Sequence, residues 1–376
     1  MSILQQGGVE VLVRSLIDAA CPEDEIFLIS QDAQLVWEAD GWQGRLSGHL
    51  SVPNGHIPGS WSRELATWLK KKHIDICHFH FGGTYEWEGG SWLGGPITVA
   101  ARTGVPVVST NHQAICFFNR AGVSRPTWRN WAAAAKVWPG KARQLMALRW
   151  EASVSRHDLA VNRRYFPIFG PKLIQVYHSR IDAARSVPPP PQSRVILNVA
   201  TIAFRKGQHI LVEAFARIAS DFPDWQLKLV GYFAEQACLE QIEAVILDRK
   251  LEGRVHLCGP DPDPSRFYEE AEIYVQPSLV EGLGLSLQEA MFFGRACLGS
   301  AIGGIPELIV SPDVGRLFPA GDIATLAIEL ARLMSDPAER SKLGTAARAS
   351  ILSQSMTRQA MSATYRELYQ QAIGYK

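Results

Sequence analysis

Short runs of apolar, β-branched and aromatic residues alternate along the chain with longer stretches in which apolar positions recur every three or four residues. The short runs predict strands at 25–30, 74–80, 105–110, 152–155 and 173–177, and again at 195–200, 226–231, 254–258, 273–276 and 296–299. The longer stretches predict amphipathic helices between many of them, as at 9–20, 207–222 and 323–334, and a last helix around 357–373. Alternation of this kind implies parallel sheets with helices on both faces, an α/β architecture of doubly wound type.

One segment breaks the pattern. Val187-Pro188-Pro189-Pro190-Pro191-Gln192-Ser193 can continue neither a helix nor a central strand, and a proline run favours an extended connector. A fresh strand follows at once. This divides the chain into a first domain (1–187), a linker (188–193), a second domain (194–352) and a terminal helical segment (353–376) expected to cross back to the first domain; a plain surface loop is the alternative. At the other end, Gly7-Gly8 opens the first helix with only six residues before it. Such a turn ordinarily follows the central first strand of a doubly wound sheet, so that strand is expected to be truncated.

Composition narrows the picture. A chain of 376 residues is long enough for two α/β domains, and 47% hydrophobic against 20% charged residues is a globular balance rather than a disordered one. Thirty-eight basic and 37 acidic residues give a net charge of +1, so bulk charge selects no partner. Six cysteines are scattered without a CxxC pair and read as buried reduced thiols, with no disulfide framework and no zinc site. No apolar stretch reaches the length of a membrane span, and no secretory signal precedes the first helix, so a cytoplasmic protein is expected.

The most informative segment runs from Pro277 to Met291, PSLVEGLGLSLQEAM. A strand ends, a loop containing Gly282, Leu283 and Gly284 follows, and a helix begins near Leu285. Glycines allow close backbone approach to a ligand, and the free amides and dipole of a helix start suit a phosphate. Glu281 lies in the loop and Glu289 about one turn inside the helix. At the carboxyl end of a strand both are placed to accept hydrogen bonds from hydroxyls near that phosphate, which points to a sugar and a ribose.

This segment resembles the signature of glycosyltransferase family 4, in which two glutamates are separated by seven residues. Gly303-Gly304-Ile305-Pro306-Glu307 and the stretch from Gly315 to Asp322 are also similar to that family's C-terminal domain. The resemblance covers most of 195–370 and continues more weakly over the first 190 residues. It implies the GT-B fold, two Rossmann-like domains facing a central cleft, with the acceptor in the first and the donor in the second. It also implies a nucleoside-diphosphate-sugar donor and retention of anomeric configuration. Glu281 would then contact the donor sugar and Glu289 the ribose, with Gly282, Leu283, Gly284 and Leu285 lining the donor site.

The resemblance extends to three further motifs. In Val199–Gly207 (VATIAFRKG), Lys206 matches the family's lysine before glycine, and a cation at a helix start stabilises a departing diphosphate. The family commonly has an arginine about five residues earlier, where this chain has Thr201; Arg205 is either the second cation or a solvated loop residue. In Val107–His112, His112 follows a strand at the place of the family's cleft histidine, where a neutral imidazole can hydrogen-bond the donor. His78 and His80 alternate on one strand face and either line the cleft or pack beneath it. Gly7 and Gly8 resemble an acceptor-side glycine loop, and Asp158 belongs to a turn that the family shares.

Between Glu88 and Glu151 there is no acidic residue, whereas eight lysines and arginines occur there, interleaved with Trp128, Trp131, Trp138 and Trp150. Such a mixture in 89–150 suits the anionic inner face of a membrane or a phosphate-bearing lipid acceptor. Core tryptophans with solvated cations are the alternative. No nucleic-acid module is present.

The expectation is therefore a retaining hexosyltransferase that uses a nucleotide sugar and a glycan or lipid-linked acceptor in cell-surface polysaccharide or glycolipid synthesis. Its site residues are His112, Lys206 and Glu281, with neither metal nor cofactor. A sugar-nucleotide epimerase on the same fold, or a non-catalytic nucleotide-sugar-binding scaffold, are the alternatives.

Overall fold

The computed structural model describes residues 8–30, 45–52, 59–81, 95–113, 128–189 and 191–374. The chain forms two compact units, one of residues 1–178 with 358–376 and the other of residues 179–357. Residues 1–7, on which the truncated first strand and the role of Gly7 rest, lie outside the described residues. Gly8 begins helix α1 (Gly8–Asp18).

Unit 1 continues with β1 (Phe27–Ser30), β2 (Gly48–Ser51), α2 (Gly59–Lys71), β3 (Cys77–Phe81), α3 (Pro96–Arg102), β4 (Val107–Asn111), α4 (Trp128–Ala147), β5 (Glu151–Ser153), α5 (Arg156–Tyr165) and β6 (Leu173–Gln175). Among the described residues β1 and β2 form a parallel pair, and β3-β4-β5-β6 form a parallel sheet in that order. Every residue of β4 is buried, because a central parallel strand is covered on both faces. Leu65, Leu69, Ile97, Val107, Leu145, Phe166 and Leu173 share its core. Ser155 caps α5 by accepting the Asp158 amide at 3.1 Å, so the backbone of Asp158 takes part in closing that turn.

Unit 2 contains β7 (Val195–Val199), α6 (Gln208–Ile218), β8 (Gln226–Val230), α7 (Gln236–Asp248), β9 (Val255–Gly259), α8 (Ser265–Glu270), β10 (Ile273–Gln276), α9 (Leu285–Phe292), β11 (Ala296–Ser300), α10 (Ile305–Leu308), β12 (Arg316–Phe318), α11 (Ile323–Ser335) and α12 (Pro337–Ser353). Its parallel sheet has the order β12-β11-β10-β7-β8-β9. The chain builds outward from β7 to β9, then returns to the other side of β7 with β10. The neighbours β7 and β10 therefore mark the point where strand order reverses, and ligands of open α/β sheets bind beyond the carboxyl ends of such strands.

The segment leading out of unit 1 is held by unit 2 from residue 179 onward. Ser179 donates to the Met356 carbonyl at 2.8 Å, Arg185 reaches Ser265 at 2.7 Å and Glu269 at 3.1 Å, and buried Arg295 donates to the Pro188 carbonyl at 3.1 Å. The first prolines of the linker are thus fastened to one unit. The last helix, α13 (Arg358–Gly374), belongs to unit 1, where the Tyr365 hydroxyl meets Thr110 at 2.8 Å.

The cysteines depart from expectation in one respect. Cys77, Cys238 and Cys297 are buried, but Cys258 is exposed and Cys21 only partly covered, while Cys116 lies outside the described residues. Cys258 sits on β9, the edge strand of its sheet, where one flank has no strand neighbour among the described residues. Among the described residues no helix is long and apolar enough to cross a membrane, and no group of three or more His, Cys, Asp or Glu side chains could hold a metal ion.

Candidate active site

In unit 2 the loops after β7 and β10 are tied together by their backbones. The amides of Leu279 and Val280 donate to the Arg205 carbonyl at 2.8 and 3.2 Å. That contact brings Lys206 to Glu281, 75 residues away in sequence, and their Nζ and Oε2 atoms lie 2.8 Å apart. The Arg205 side chain itself is exposed, while its backbone carbonyl joins the two loops.

Glu281 is anchored through one oxygen. Besides Lys206, Gln276 Nε2 and Ser278 Oγ donate to the same Oε2, at 3.1 and 3.0 Å, while Oε1 accepts no hydrogen bond among the described residues. Gln276 is itself fixed by the Tyr274 hydroxyl, which donates to its Oε1 at 2.7 Å. Burial pushes the Glu281 carboxyl upward, but the Lys206 charge, the hydrogen bonds from Lys206 and Ser278 and the nearby Arg205 charge outweigh it and hold the pKa below the usual carboxylate value. The outcome is an ionised carboxylate with one oxygen locked and the other offered as an acceptor.

The backbone around it is equally constrained. Gly303 has φ of +56°, and a Cβ there would lie 1.9 Å from the Glu281 carbonyl oxygen, so the Gly303-Gly304 turn fits only without a side chain. The Gly304 amide donates to the Gly282 carbonyl at 3.0 Å. Gly284 caps α9 with φ of +97°; nothing of the protein lies closer than 3.7 Å to a Cβ built on it, so conformation rather than crowding requires glycine there. The amides that open α9 have no partner within the helix and suit an anion. Leu283 is buried beside them and Leu285 partly so.

Glu289 lies in α9 and is held at both oxygens. Tyr268 donates to Oε2 at 2.9 Å, and the Arg180 Nε pairs with Oε1 at 3.2 Å. Burial and the Glu289 charge raise the Tyr268 pKa well above its ordinary value, so the phenol stays a donor.

His112 belongs to unit 1, where it follows β4. Its Nε2 lies 3.2 Å from His80 Nδ1, and its ring centroid is 5.0 Å from that of buried His178. His78 is placed differently. It bonds Tyr369 at 2.6 Å and Thr110 at 2.8 Å, Thr110 bonds Tyr365, and Tyr365 bonds His178 at 2.6 Å. His80 thus accompanies His112, while His78 packs into a hydrogen-bonded chain with tyrosines of α13. Burial, reinforced by the histidines' mutual charge, drives His78, His112 and His178 well below the usual imidazole value, and burial alone takes His80 down to about 4. All four are neutral at physiological pH.

Sequence reasoning passed over Gln276, Ser278, Tyr268 and Arg180. A signal existed for the first two: Tyr274, Gln276 and Ser278 are polar at every second position of an otherwise apolar strand, which marks one strand face. No local pattern marks Arg180. The basic, tryptophan-rich stretch is partly core. Lys141 is buried in an ion pair with Glu151, and Trp150 is buried. Those two residues cannot face a membrane, because their partners lie inside the unit.

Residues 179–350 match the family model described as glycosyl transferases group 1. The chain is 34% identical over 164 residues to the amylovoran biosynthesis glycosyltransferase AmsK of Erwinia amylovora, a match that covers 42% of this chain and 40% of that one. The chain spans only 40–41% of the length of the first three curated relatives it matches. Among solved structures, a glycosyltransferase from Rickettsia africae superposes with a TM-score of 0.76 at 17% identity, covering 99% of this chain and 96% of that one. Anabaena Alr3699/HepE in complex with UDP-glucose superposes with a TM-score of 0.74 at 18% identity, covering 98% and 97%. At such identity the likeness gives the fold, and the fold is GT-B.

Proposed function

We propose that this chain, whose residues 179–350 match the glycosyl transferases group 1 family model, is a glycosyltransferase that takes a hexose-type sugar from a nucleoside diphosphate. The acceptor is a glycan or lipid-linked sugar in cell-surface polysaccharide or glycolipid synthesis. Unit 2 binds the donor and unit 1 the acceptor, and His112 of unit 1 acts as a neutral group that hydrogen-bonds the donor. The names of the relatives, which include AmsK, support the class of pathway, and the UDP-glucose complex of Alr3699/HepE supports the class of donor.

The single observation that carries this reading is the meeting of Lys206 and Glu281 beside the start of α9, at the strand-order switch of unit 2. The diphosphate lies over the α9 amides, and Lys206 turns from Glu281 to its oxygens. The freed Glu281 carboxylate accepts a sugar hydroxyl. An acceptor hydroxyl attacks the anomeric carbon on the face that the diphosphate leaves. The C–O bond to phosphate breaks with its electron pair, and the hydroxyl proton passes to the departing phosphate oxygen. The configuration is retained, and Lys206 and the helix start stabilise the leaving group. This division of labour needs no metal, so turnover is expected to survive EDTA.

The test is a screen of UDP- and GDP-sugars with acceptor, following nucleoside diphosphate release. Release from one donor that Glu281→Ala and Lys206→Ala both abolish is expected. Conversion of the donor to an epimer without acceptor, or binding without turnover across many acceptors, would refute the transferase reading. Attachment to an anionic membrane through the remaining cations of 89–150 is a further part of the proposal; failure to float with anionic vesicles at low salt removes it.

A further inference from the structure

We propose that Tyr274 and Gln276 of β10 are positioning residues that keep Glu281 ionised and aimed when Lys206 leaves it for the diphosphate. The inference rests on the reading of unit 2 as a nucleotide-sugar site and adds to it two residues of the strand that precedes the glycine loop.

The hydrogen bonds beneath Glu281 can run in one direction only. An ionised carboxylate accepts and does not donate, so Gln276 must present Nε2 to it, and the amide oxygen then faces Tyr274. The Tyr274 hydroxyl has one proton. It lies 2.7 Å from Gln276 Oε1 and 3.4 Å from the Val199 carbonyl, and the shorter bond takes the proton. Burial pushes the Tyr274 pKa well above its ordinary value, so the phenol stays a donor. Gln276 Nε2 directs its two hydrogens to Ser278 Oγ at 2.8 Å and to Glu281 Oε2 at 3.1 Å, and Ser278 Oγ donates onward to the same Oε2 at 3.0 Å. The Ser278 backbone is held in turn by Ser300, whose hydroxyl donates to its carbonyl at 2.6 Å.

The three donors on Glu281 Oε2 differ in what holds them. Tyr274, Gln276 and Ser278 are buried, and β10 is paired on both sides, by β7 and β11. Lys206 carries its ammonium on a flexible four-carbon stem and stands in the loop after another strand. Phosphate oxygens at the start of α9 can therefore draw the lysine away, whereas the amide and the hydroxyl cannot follow it. Loss of the ammonium leaves a carboxylate in a buried place, where burial favours the neutral form. Protonation of Oε1 would turn the oxygen offered to the sugar from an acceptor into a donor. Two neutral donors that stay on Oε2 favour the charged form and oppose that step.

The experiment is calorimetry of UDP-glucose and GDP-mannose binding to the full chain at about pH 5.5, in buffers of different ionisation enthalpy, which counts the protons taken up on binding. The unmutated chain sets the baseline, with Glu281 ionised before and after. Gln276→Met, similar in length but without the donor, should take up more, by as much as about one proton per donor bound, because Glu281 protonates as Lys206 leaves. Tyr274→Phe should shift uptake the same way by less, and it supplies a second variant if Gln276→Met melts early. Glu281→Gln added to Gln276→Met should remove the extra uptake. A merely structural role for Gln276 would weaken donor binding without changing proton uptake. Equal uptake in the unmutated chain, Gln276→Met and Tyr274→Phe, or extra uptake that survives Glu281→Gln, overturns the proposal and leaves the donor-site reading standing. No binding of either donor by the unmutated chain overturns both.

Discussion

The two units solve the same problem with different chemistry. Each gathers polar side chains at the carboxyl ends of parallel strands. In unit 1 the gathering is neutral: His78, His80, His112 and His178 with Thr110, Tyr365 and Tyr369, linked by bonds of 2.6 to 3.2 Å. In unit 2 it is ionic, with Lys206 facing Glu281 and Arg180 facing Glu289. A neutral network depends on direction, since each imidazole and hydroxyl must donate one way and accept the other. An ionic one depends on both signs being present, since a partly buried charge without its partner is costly. The first suits a surface that positions a neutral hydroxyl, the second a site that receives a diphosphate.

That contrast can be broken most forcefully at Lys206. Lys206→Ala should lower turnover by about 10²–10³-fold, the range for removing a group that stabilises developing charge, measured as nucleoside diphosphate release at saturating donor. A fall of less than about threefold would mean that the ionic pair is structural.

Acid sharpens the comparison next. The unit 1 histidines have folded pKa values depressed below the unfolded value of about 6.5. Between those values the unfolded state binds more protons, so their contribution is fully present above about pH 6.5 and is lost as pH falls toward the folded values, about 4 for His80. Glu281 is also depressed, but from a carboxylate starting point of 4.5, so its contribution is lost only as pH falls below that value. Calorimetric scans from pH 7.5 to 5 should therefore show one transition moving further to lower temperature than the other, since unit 2 holds the smaller set of depressed histidines, His209 alone among the described residues. Two transitions that move together would refute the assignment of separate titrating networks to the units.

A smaller effect is expected from Tyr365→Phe. It removes the hydroxyl shared by Thr110 and His178 and should destabilise unit 1 by about 1–3 kcal/mol, the cost of leaving a buried polar group without its bond; urea unfolding followed by tryptophan fluorescence measures it. Smallest is Ser155→Ala, which removes the cap of α5 and should cost about 1 kcal/mol in the same assay without altering nucleotide affinity.

Much of this was legible in the chain. The strand at 273–276 coincides with β10, and the predicted strands of the second half all appear within a residue or two, because buried parallel strands read as continuous apolar runs. The strands that escaped, β2 and β12, are only four and three residues long, too short to show a period, and β12 lies at a sheet edge, where burial on every side is not required. The apolar periodicity at 9–20 foretold α1, which runs from Gly8 to Asp18.

What the sequence determined by itself is therefore local: the alternation of strands and helices, and the glycine loop with its two glutamates, whose spacing along one loop and one helix fixes them near each other. What only the tertiary structure decided is how each glutamate is held. Lys206 reaches Glu281 from the loop after another strand, Arg180 reaches Glu289 from the segment that enters unit 2, and Tyr365 reaches Thr110 from the last helix. Such partners leave no trace in periodicity, because a single long side chain meeting another across the fold changes neither the spacing of apolar positions nor the propensity of its own element.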